Sequence, residues 1–262
     1  MATTRPRLDV ALVDLGLAPS RERARALILA GQVTIDGQVV SKAGAPVKPD
    51  ARVELAVPDH PYVGRGGLKL AAALDAFAVD PEGRRALDVG ASTGGFTDVL
   101  LQRGAARVTA LDVGYGQLHP KLRSDPRVTV LERTNARGLA ELPYPPQLVV
   151  CDVSFISVRK ALGPALRLAA PGWQAVVLVK PQFEAGRAEV GKGGVVKSNE
   201  TRARVVREVA EAALGWDAET LGVVDSGLPG PKGNRELFLH LVHRPGARLP
   251  VDLDRWIDAA IG

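Results

Sequence analysis

The N-terminal part of the chain combines a helical pattern of apolar side chains with short strand-like runs. Apolar positions recur at helical spacing from Leu8 to Leu15, and Gly16 ends this pattern. Ser20 begins a second helical stretch, which Gly31 ends. The pattern therefore predicts two short helices at the start of the chain.

Strand signals follow these helices. Residues 33–35 and 39–40 flank the dipeptide Asp36-Gly37, which is typical of tight hairpins, and residues 53–57 form one more strand-like run. The proline-bracketed segment 58–61 then interrupts the pattern. We predict a small α+β domain over residues 1–58 and an interdomain linker over residues 59–64.

Beyond the linker, short apolar runs alternate with helical stretches. The runs are residues 86–89, 108–111, 128–131, 148–150 and 175–179, and the helical stretches include residues 96–102, 158–169 and 201–214. Strands that are apolar without alternation are buried on both faces, so the pattern predicts a mostly parallel, Rossmann-like α/β sheet with helices on both faces. Residues 221–224 and 237–242 have only a loop between them, which predicts an antiparallel strand near one edge. We assign this domain to residues 65–245 and set residues 246–262 apart as a C-terminal tail.

Composition and charge narrow the class of protein. The length of 262 residues favours two domains, and 46% hydrophobic with 24% charged residues excludes collagen-like, disordered and coiled-coil proteins. A single cysteine, Cys151, together with the lack of a signal-like or membrane-length apolar run in the sequence, predicts a cytoplasmic protein. The four histidines show no metal-ligand spacing, so we expect no metal. The net charge of +5 is compatible with a polyanionic partner.

A glycine-rich loop, residues 88–97, follows the first predicted strand of the larger domain and opens a helix. Glycines there let the backbone turn sharply and let a ligand approach the main chain. Their spacing is G-x-x-x-G-G, and Asp88 stands directly ahead of them, where a carboxylate would repel a diphosphate. Asp112 ends the next strand and can accept hydrogen bonds from ribose hydroxyls. The loop therefore favours S-adenosylmethionine, which is cationic and lacks phosphate, over a nicotinamide dinucleotide.

Four ionisable residues stand where such a sheet would bring them together. Lys69 precedes the first strand, Asp152 ends the fourth, Lys180 ends the fifth and Glu236 begins the last. Asp152 and Lys180 directly follow apolar runs, so both emerge at the ligand-binding edge of a parallel sheet. A lysine that ends a wholly apolar strand is seldom merely solvated, which makes Lys180 the foremost functional candidate.

These motifs resemble those of known families. The N-terminal residues resemble the small RNA-binding fold named after ribosomal protein S-four, also called the alpha-L motif, at 7–9, 16–21, 30–33 and 35–37. The glycine loop resembles motif I of the Rossmann-like methyltransferases. The order Lys69, Asp152, Lys180, Glu236 matches the K-D-K-E tetrad of FtsJ-type RNA ribose 2′-O-methyltransferases. Residues 5–245 as a whole resemble the TlyA family, whose older name is hemolysin A, with further matching motifs at 64–70, 112–118, 132–137, 152–157, 179–184 and 228–231.

The resemblance implies a class I methyltransferase fold that uses S-adenosylmethionine to methylate the 2′-oxygen of cytidine in 23S and, in some members, 16S ribosomal RNA, with ribosomal subunits as partners. It implies that the tetrad is catalytic, with Lys180 as the central residue that either accepts the proton of the ribose hydroxyl or orients that hydroxyl. The implied cofactor-binding residues are Asp88, Gly90, Ser92, Gly94, Gly95, Asp112, Asn135 and Asp152.

Candidate RNA contacts lie in both predicted domains. The resemblance implies phosphate contacts from Arg7, Arg21 and Lys42, although a solvated helix face is an equally simple interpretation of these cations. Arg133 and Arg187 are candidates in the larger domain. Phe155, beside Asp152, either stacks on a displaced base or belongs to the core.

Three other functions remain open at this point. A membrane-active cytolysin is suggested only by the older family name, and a ribosome-assembly factor would bind RNA without chemistry. A nicotinamide oxidoreductase shares the expected fold. The enzymatic hypothesis requires Lys69 and Lys180 to meet in space, because on opposite sides of the molecule they would leave only a basic RNA-binding protein.

Overall fold

A computed structural model describes residues 5–29, 31–55 and 60–262 of the chain. Contacts divide the chain into two compact units, Met1–Pro61 and Tyr62–Gly262. The end of the predicted strand at 53–57, residue 58 of the predicted smaller domain, residue 59 of the predicted linker and residue 30 of the alpha-L motif lie outside the described residues.

The smaller unit contains the two helices and the hairpin that the sequence predicts. Helices α1 (Leu8–Asp14) and α2 (Arg21–Leu29) pack on a sheet of β1 (Val33–Ile35), β2 (Gln38–Val39) and β3 (Val53–Leu55). The strand order is β2-β1-β3, and both pairings are antiparallel. Apolar side chains from both helices and from β1 form a separate core.

The larger unit is a sheet covered by helices. Its strands are β4 (Arg85–Val89), β5 (Arg107–Leu111), β6 (Val128–Leu131), β7 (Leu148–Cys151), β8 (Gln174–Val179), β9 (Ala218–Asp225) and β10 (Leu237–His243). Its α-helices are α3 (Gly66–Ala76), α4 (Gly95–Gln102), α5 (Pro120–Arg123), α6 (Val158–Arg167), α7 (Pro181–Glu184), α8 (Asn199–Leu214) and α9 (Leu253–Ile261).

The strand order of this sheet is β6-β5-β4-β7-β8-β10-β9. Strands β4 to β8 pair in parallel, whereas β10 runs antiparallel to both β8 and β9. The predicted antiparallel strand is therefore confirmed, and it lies one position in from the edge strand β9. The order reverses at β4, which lies between β5 and β7, and ligands bind at such a reversal beyond the carboxyl ends of the strands.

Two apolar cores lie on opposite faces of this sheet. Leu87 and Val89 of β4 belong to the same apolar core as side chains of α6, α8 and α9, while Ala86 of the same strand belongs to the core that includes α3 and α4. Because both faces of the central strands are buried, their sequences contain no polar alternation. The sequence-based prediction of an α/β sheet with helices on both faces is confirmed.

Residues 246–262, set apart from the sequence as a tail, include a helix that packs onto the sheet unit. Helix α9 lies against α8 and β9 and buries Leu253, Ile257 and Ile261. These apolar positions recur every fourth residue, so they share one face of the helix. The C-terminal helix therefore contributes to the core of the larger unit. Within the described residues, no helix is both long enough and apolar enough to span a bilayer.

We expect Ile257→Ala to destabilise the protein by about 2–5 kcal/mol, because it removes buried methyl groups from the contact of α9 with the core. Val251 lies just ahead of this helix and is fully exposed, so Val251→Ala is a matched control that changes the free energy of unfolding by less than about 0.5 kcal/mol. Urea unfolding measures both values. Equal effects of the two substitutions would contradict the packing of α9.

Candidate active site

The four tetrad side chains line one cavity of about 310 Å³ at the carboxyl edge of the sheet. Lys69 comes from the first turn of α3, and Asp152 and Lys180 directly follow β7 and β8. Glu236 stands immediately before β10. The two lysines therefore meet, as the enzymatic hypothesis requires.

One of the two lysine–carboxylate pairs is deeply buried. Lys69 Nζ donates a hydrogen bond of 2.6 Å to Glu236 Oε2, and the two side chains are only 6% and 1% exposed. Gln182 Nε2 donates to the other oxygen, Glu236 Oε1, at 3.3 Å. A buried charge is tolerated when it is paired and hydrogen-bonded, so this arrangement holds a fixed ammonium group in the cavity wall.

The second pair is more open. Lys180 Nζ lies 2.5 Å from Asp152 Oδ1 and donates a hydrogen bond of 2.8 Å to Ser154 Oγ. Its side chain is 12% exposed, and that of Asp152 is 26% exposed. Lys180 is therefore the lysine that a ligand in the cavity reaches more easily.

Neighbouring parallel strands explain this convergence. Cys151 of β7 pairs with Val177 of β8, so the residues that follow each strand emerge side by side. Gly90 in the loop after β4 has a φ of +90°, and a Cβ there would lie 2.5 Å from the carbonyl oxygen of Asp152. Glycine is required at this position because the loop after β4 crosses so close to the end of β7.

A second cavity, of about 460 Å³, lies beside the first. Asp112, Asn135 and Asp152 supply polar groups to its lining, and most of its other side chains are apolar. The described residues that line it include no lysine or arginine. Such a cavity suits a cationic ligand with an apolar ring and no phosphate, which are properties of S-adenosylmethionine.

Two backbone N–H groups hold the carboxylate of Asp112 in this second cavity. Its Oδ2 accepts the Ser92 N–H and its Oδ1 accepts the Gly114 N–H, both at 2.7 Å. These bonds fix the carboxylate between the glycine loop and the loop after β5. Each carboxylate oxygen has a further lone pair, so Asp112 can still accept hydrogen bonds from a ligand.

The two cavities adjoin. Their linings share Gly90, Ser92, Asp152 and Ser154. A group bound in one cavity can therefore contact a group bound in the other at the place that these four residues line. Gly95, a predicted cofactor residue, lines the cavity that contains the tetrad.

Two predicted cofactor residues lie outside both cavity linings. Asp88 is fully buried and accepts a hydrogen bond of 2.7 Å from Thr97 Oγ1, which ties β4 to α4. The pKa of Asp88 is raised to about 7: burial is the main cause, the Thr97 hydrogen bond opposes it, and the nearby carboxylates of Asp152 and Asp112 add smaller upward contributions. Gly94 has a φ of +96°, and a Cβ there would collide with leucine side chains around α5. In this structure Asp88 and Gly94 stabilise the glycine loop without lining either cavity.

The candidate RNA-contacting residues of the larger unit are exposed. Phe155 is 91% exposed with a φ of +64°, and its ring centroid lies 5.1 Å from that of Phe183, so the core alternative is wrong. The guanidinium of Arg133 lies 4.2 Å from the centre of the Tyr115 ring. Arg187 is exposed in the loop after α7. A positive φ at a bulky residue such as Phe155 is strained, and such strain concentrates at functional sites.

In the smaller unit a single carboxylate gathers three guanidinium groups. The buried Asp9 binds Arg7 at 3.0 Å, Arg21 at 3.1 Å and Arg25 at 3.1 Å, and each arginine remains about half exposed. These hydrogen bonds lower the pKa of Asp9 well below its usual value. Lys42 is exposed and precedes Ala43, whose carbonyl accepts the Asp9 N–H at 3.0 Å.

The sequence analysis did not single out Arg25 as an RNA contact. Arg25 lies one helical turn after Arg21, which is the signal that would have added it to the cluster. Its Nε contacts the same oxygen of Asp9 that Arg21 contacts. We call these three arginines, Arg7, Arg21 and Arg25, the Asp9 cluster.

Comparison with known proteins yields matches to both units. The FtsJ-like methyltransferase family model matches residues 62–243, and the S4 domain model matches residues 6–53. The chain is 51% identical over 242 residues to the 16S/23S rRNA (cytidine-2′-O)-methyltransferase TlyA of Mycobacterium tuberculosis, covering 90% of each chain. It is 37% identical over 240 residues to Hemolysin A of Brachyspira hyodysenteriae, covering 90% of this chain and 99% of that protein. A solved structure from Streptococcus thermophilus, described as a candidate hemolysin, matches with a TM-score of 0.76 and 37% identity, covering 99% of this chain and 96% of that one.

We expect the buried Asp88 to give the protein a distinct pH dependence of stability. Its folded pKa of about 7 exceeds the unfolded value of 3.8, so the folded protein binds more protons between about pH 4 and pH 7. The Asp88 contribution to the free energy of unfolding therefore falls as pH rises through this window, by up to about 4 kcal/mol.

Asp88→Asn keeps an acceptor for Thr97 and removes the titration. Relative to the native protein, this variant should gain stability between pH 4.5 and pH 7.5, measured by urea unfolding at several pH values. Asp258→Asn, at an exposed position of α9, serves as the control and should follow the native curve. Parallel curves for the native protein and Asp88→Asn would contradict the expectation.

Proposed function

The chain belongs to the TlyA family of FtsJ-like methyltransferases, and from that premise we propose that it transfers a methyl group from S-adenosylmethionine to the ribose 2′-oxygen of a cytidine in ribosomal RNA. One observation carries the proposal: two lysine–carboxylate pairs line a single cavity that adjoins a second cavity suited to a cationic nucleoside. The named activity of the Mycobacterium tuberculosis relative supports cytidine in 16S and 23S rRNA as the substrate.

The second cavity holds the cofactor in this proposal. Asp112 accepts hydrogen bonds from the ribose hydroxyls, and Asn135 lies toward the adenine. Asp152 and the backbone at Gly90 and Ser92 face the methionine part. When bound, S-adenosylmethionine supplies an electrophilic methyl group on its sulfonium sulfur.

The first cavity holds the ribose that receives the methyl group. A ribose hydroxyl is a weak nucleophile, so it must be aligned with the methyl group and must lose its proton. Lys180 contacts this hydroxyl, either as the donor that orients it or as the base that takes its proton, and Asp152 keeps the lysine in place. The buried pair of Lys69 and Glu236 adds a fixed positive charge without leaving an unpaired ion.

RNA binding is assigned to exposed cations in both units and to aromatic rings in the larger unit. The Asp9 cluster and Lys42 contact phosphates, which position the protein without selecting a sequence. In the larger unit, Arg133 and Arg187 contact RNA, and Phe155 with Phe183 offers an exposed surface for stacking on a base.

Three alternatives are less well supported. A non-catalytic RNA-binding protein has no need for two lysine–carboxylate pairs in one cavity beside a cofactor-sized space. A nicotinamide oxidoreductase must bind a diphosphate, whereas the carboxylates of Asp112 and Asp152 line the cofactor cavity and no lysine or arginine of the described residues does. The hemolysin names belong to relatives, and no contact in the described residues favours that function over methyl transfer.

We expect Lys180→Ala to reduce methyl transfer by at least about 100-fold, because it removes the group that contacts the ribose hydroxyl. S-adenosylmethionine binding should persist, since Lys180 does not line the cofactor cavity. Transfer of labelled methyl groups to ribosomal RNA and calorimetric titration measure the two properties. The control is Lys192→Ala, an exposed lysine outside both cavities. Full activity of Lys180→Ala would refute the catalytic assignment.

RNA binding should weaken steeply as salt concentration rises. Arg21→Ala removes one phosphate contact, so the slope of log affinity against log salt should decrease in magnitude by about 0.7–0.9. Arg52→Ala should leave the slope unchanged, because Arg52 pairs with Glu54 outside the Asp9 cluster. Fluorescence anisotropy with a ribosomal RNA fragment at several KCl concentrations measures the slope. A flat native slope would contradict phosphate binding by the cluster.

A further inference from the structure

Ser154 contacts the central lysine of the site directly, although the sequence analysis did not select it. Its hydroxyl oxygen accepts the 2.8 Å hydrogen bond from Lys180 Nζ. Ser154 also lines both cavities, at the place where they adjoin. It therefore lies where the proposed methyl donor and the proposed acceptor come together.

The two partners of Lys180 constrain its ammonium group in different ways. Among the described residues, its Nζ has one ion-pair partner, Asp152, and one hydrogen-bond acceptor, Ser154. An ion pair fixes mainly the distance between charges, whereas a hydrogen bond also has a preferred direction. Lysine has a long flexible stem and rotatable N–H donors, so the directional contact selects one orientation of Nζ.

Hydrogen bonds to Glu184 of α7 anchor the loop that carries Ser154. Glu184 accepts the Val158 N–H at 2.7 Å and the Ser157 hydroxyl at 2.6 Å, which ties the loop after β7 to α7. The left-handed backbone at Phe155 accompanies an outward-facing ring, while the neighbouring Ser154 hydroxyl stays on Lys180. Adjacent side chains of this loop therefore have different surroundings: the Phe155 ring faces solvent, and the Ser154 hydroxyl contacts Lys180.

The other residues shared by the two cavities do not contact Lys180 in this way. Gly90 has no side chain, and the Ser92 hydroxyl donates toward Gln117 at 3.4 Å. Asp152 is the ion-pair partner of Lys180. Among the four shared residues, Ser154 is thus the one whose hydroxyl forms a hydrogen bond with Lys180.

We infer that Ser154 is a positioning residue for methyl transfer: by accepting a hydrogen bond from Lys180, it holds Nζ at the junction of the two cavities so that the remaining face of Nζ meets the ribose hydroxyl. This inference rests on the proposed function. Ser154 acts through Lys180, so its loss should change the rate of the bound complex more than the binding of either substrate.

The test compares three variants by steady-state methyl transfer to ribosomal RNA and by calorimetric binding of S-adenosylmethionine. Ser154→Ala removes the acceptor, and Ser154→Thr keeps a hydroxyl at an exposed position that has room for a methyl group. Ser157→Ala removes a hydroxyl from the same loop that bonds to Glu184 and not to the tetrad. It therefore reports the effect of disturbing the loop alone.

We expect Ser154→Ala to lower kcat by at least about tenfold, with both KM values and the cofactor Kd changed by less than about twofold. Ser154→Thr should restore most of kcat, and Ser157→Ala should lower kcat less than Ser154→Ala does.

The inference is overturned by a normal kcat for Ser154→Ala, by a loss that lies in KM or in cofactor binding, by failure of Ser154→Thr to restore activity, or by an equal loss in Ser157→Ala. Absence of methyl transfer by the native protein would instead overturn the proposed function, and this inference with it.

Discussion

Two ammonium groups can share one small cavity only if each has its own carboxylate, and the larger unit is built around this requirement. Glu236 neutralises Lys69 where almost no water reaches, while Asp152 neutralises Lys180 where a ligand still can. Removing either carboxylate would leave an uncompensated charge in a confined space. The two lysines differ in burial and therefore in role. Lys69 is fixed in the cavity wall, whereas Lys180 is accessible to a ligand in the cavity.

The topology of the sheet meets this requirement. Parallel neighbours β7 and β8 deliver Asp152 and Lys180 to the same edge, and the reversal of strand order at β4 opens space beside them. The loop after β4 fits there because Gly90 permits a close approach to the end of β7. The cofactor-sized cavity and the tetrad cavity therefore adjoin as a consequence of strand order, and side chains at the junction, such as Ser154, belong to both.

The smaller unit applies the same electrostatic principle to a surface. One buried carboxylate, Asp9, holds three arginines that would otherwise repel one another, and it leaves their guanidinium groups half exposed. The cluster keeps a net positive charge because three cations surround a single anion. The half-exposed guanidinium groups therefore remain available for the phosphate contacts of the proposed function.

The sequence by itself determined the α/β class and the antiparallel strand near the edge, because apolar runs specify buried strands. It also placed Asp152 and Lys180 at one edge of the sheet, because residues directly after parallel strands share that edge. Lys69 and Glu236 do not follow parallel strands, and they joined the tetrad through its resemblance to the FtsJ type. Only the tertiary structure decided which side chains touch. Lys69 and Glu236 are 167 positions apart, Asp88 and Gly94 lie behind the loop, and Ser154 bonds to Lys180 from a different strand end. Helix α9 joins the core for the same reason: contacts between distant segments depend on the packing of the whole unit, which local patterns of residues do not encode.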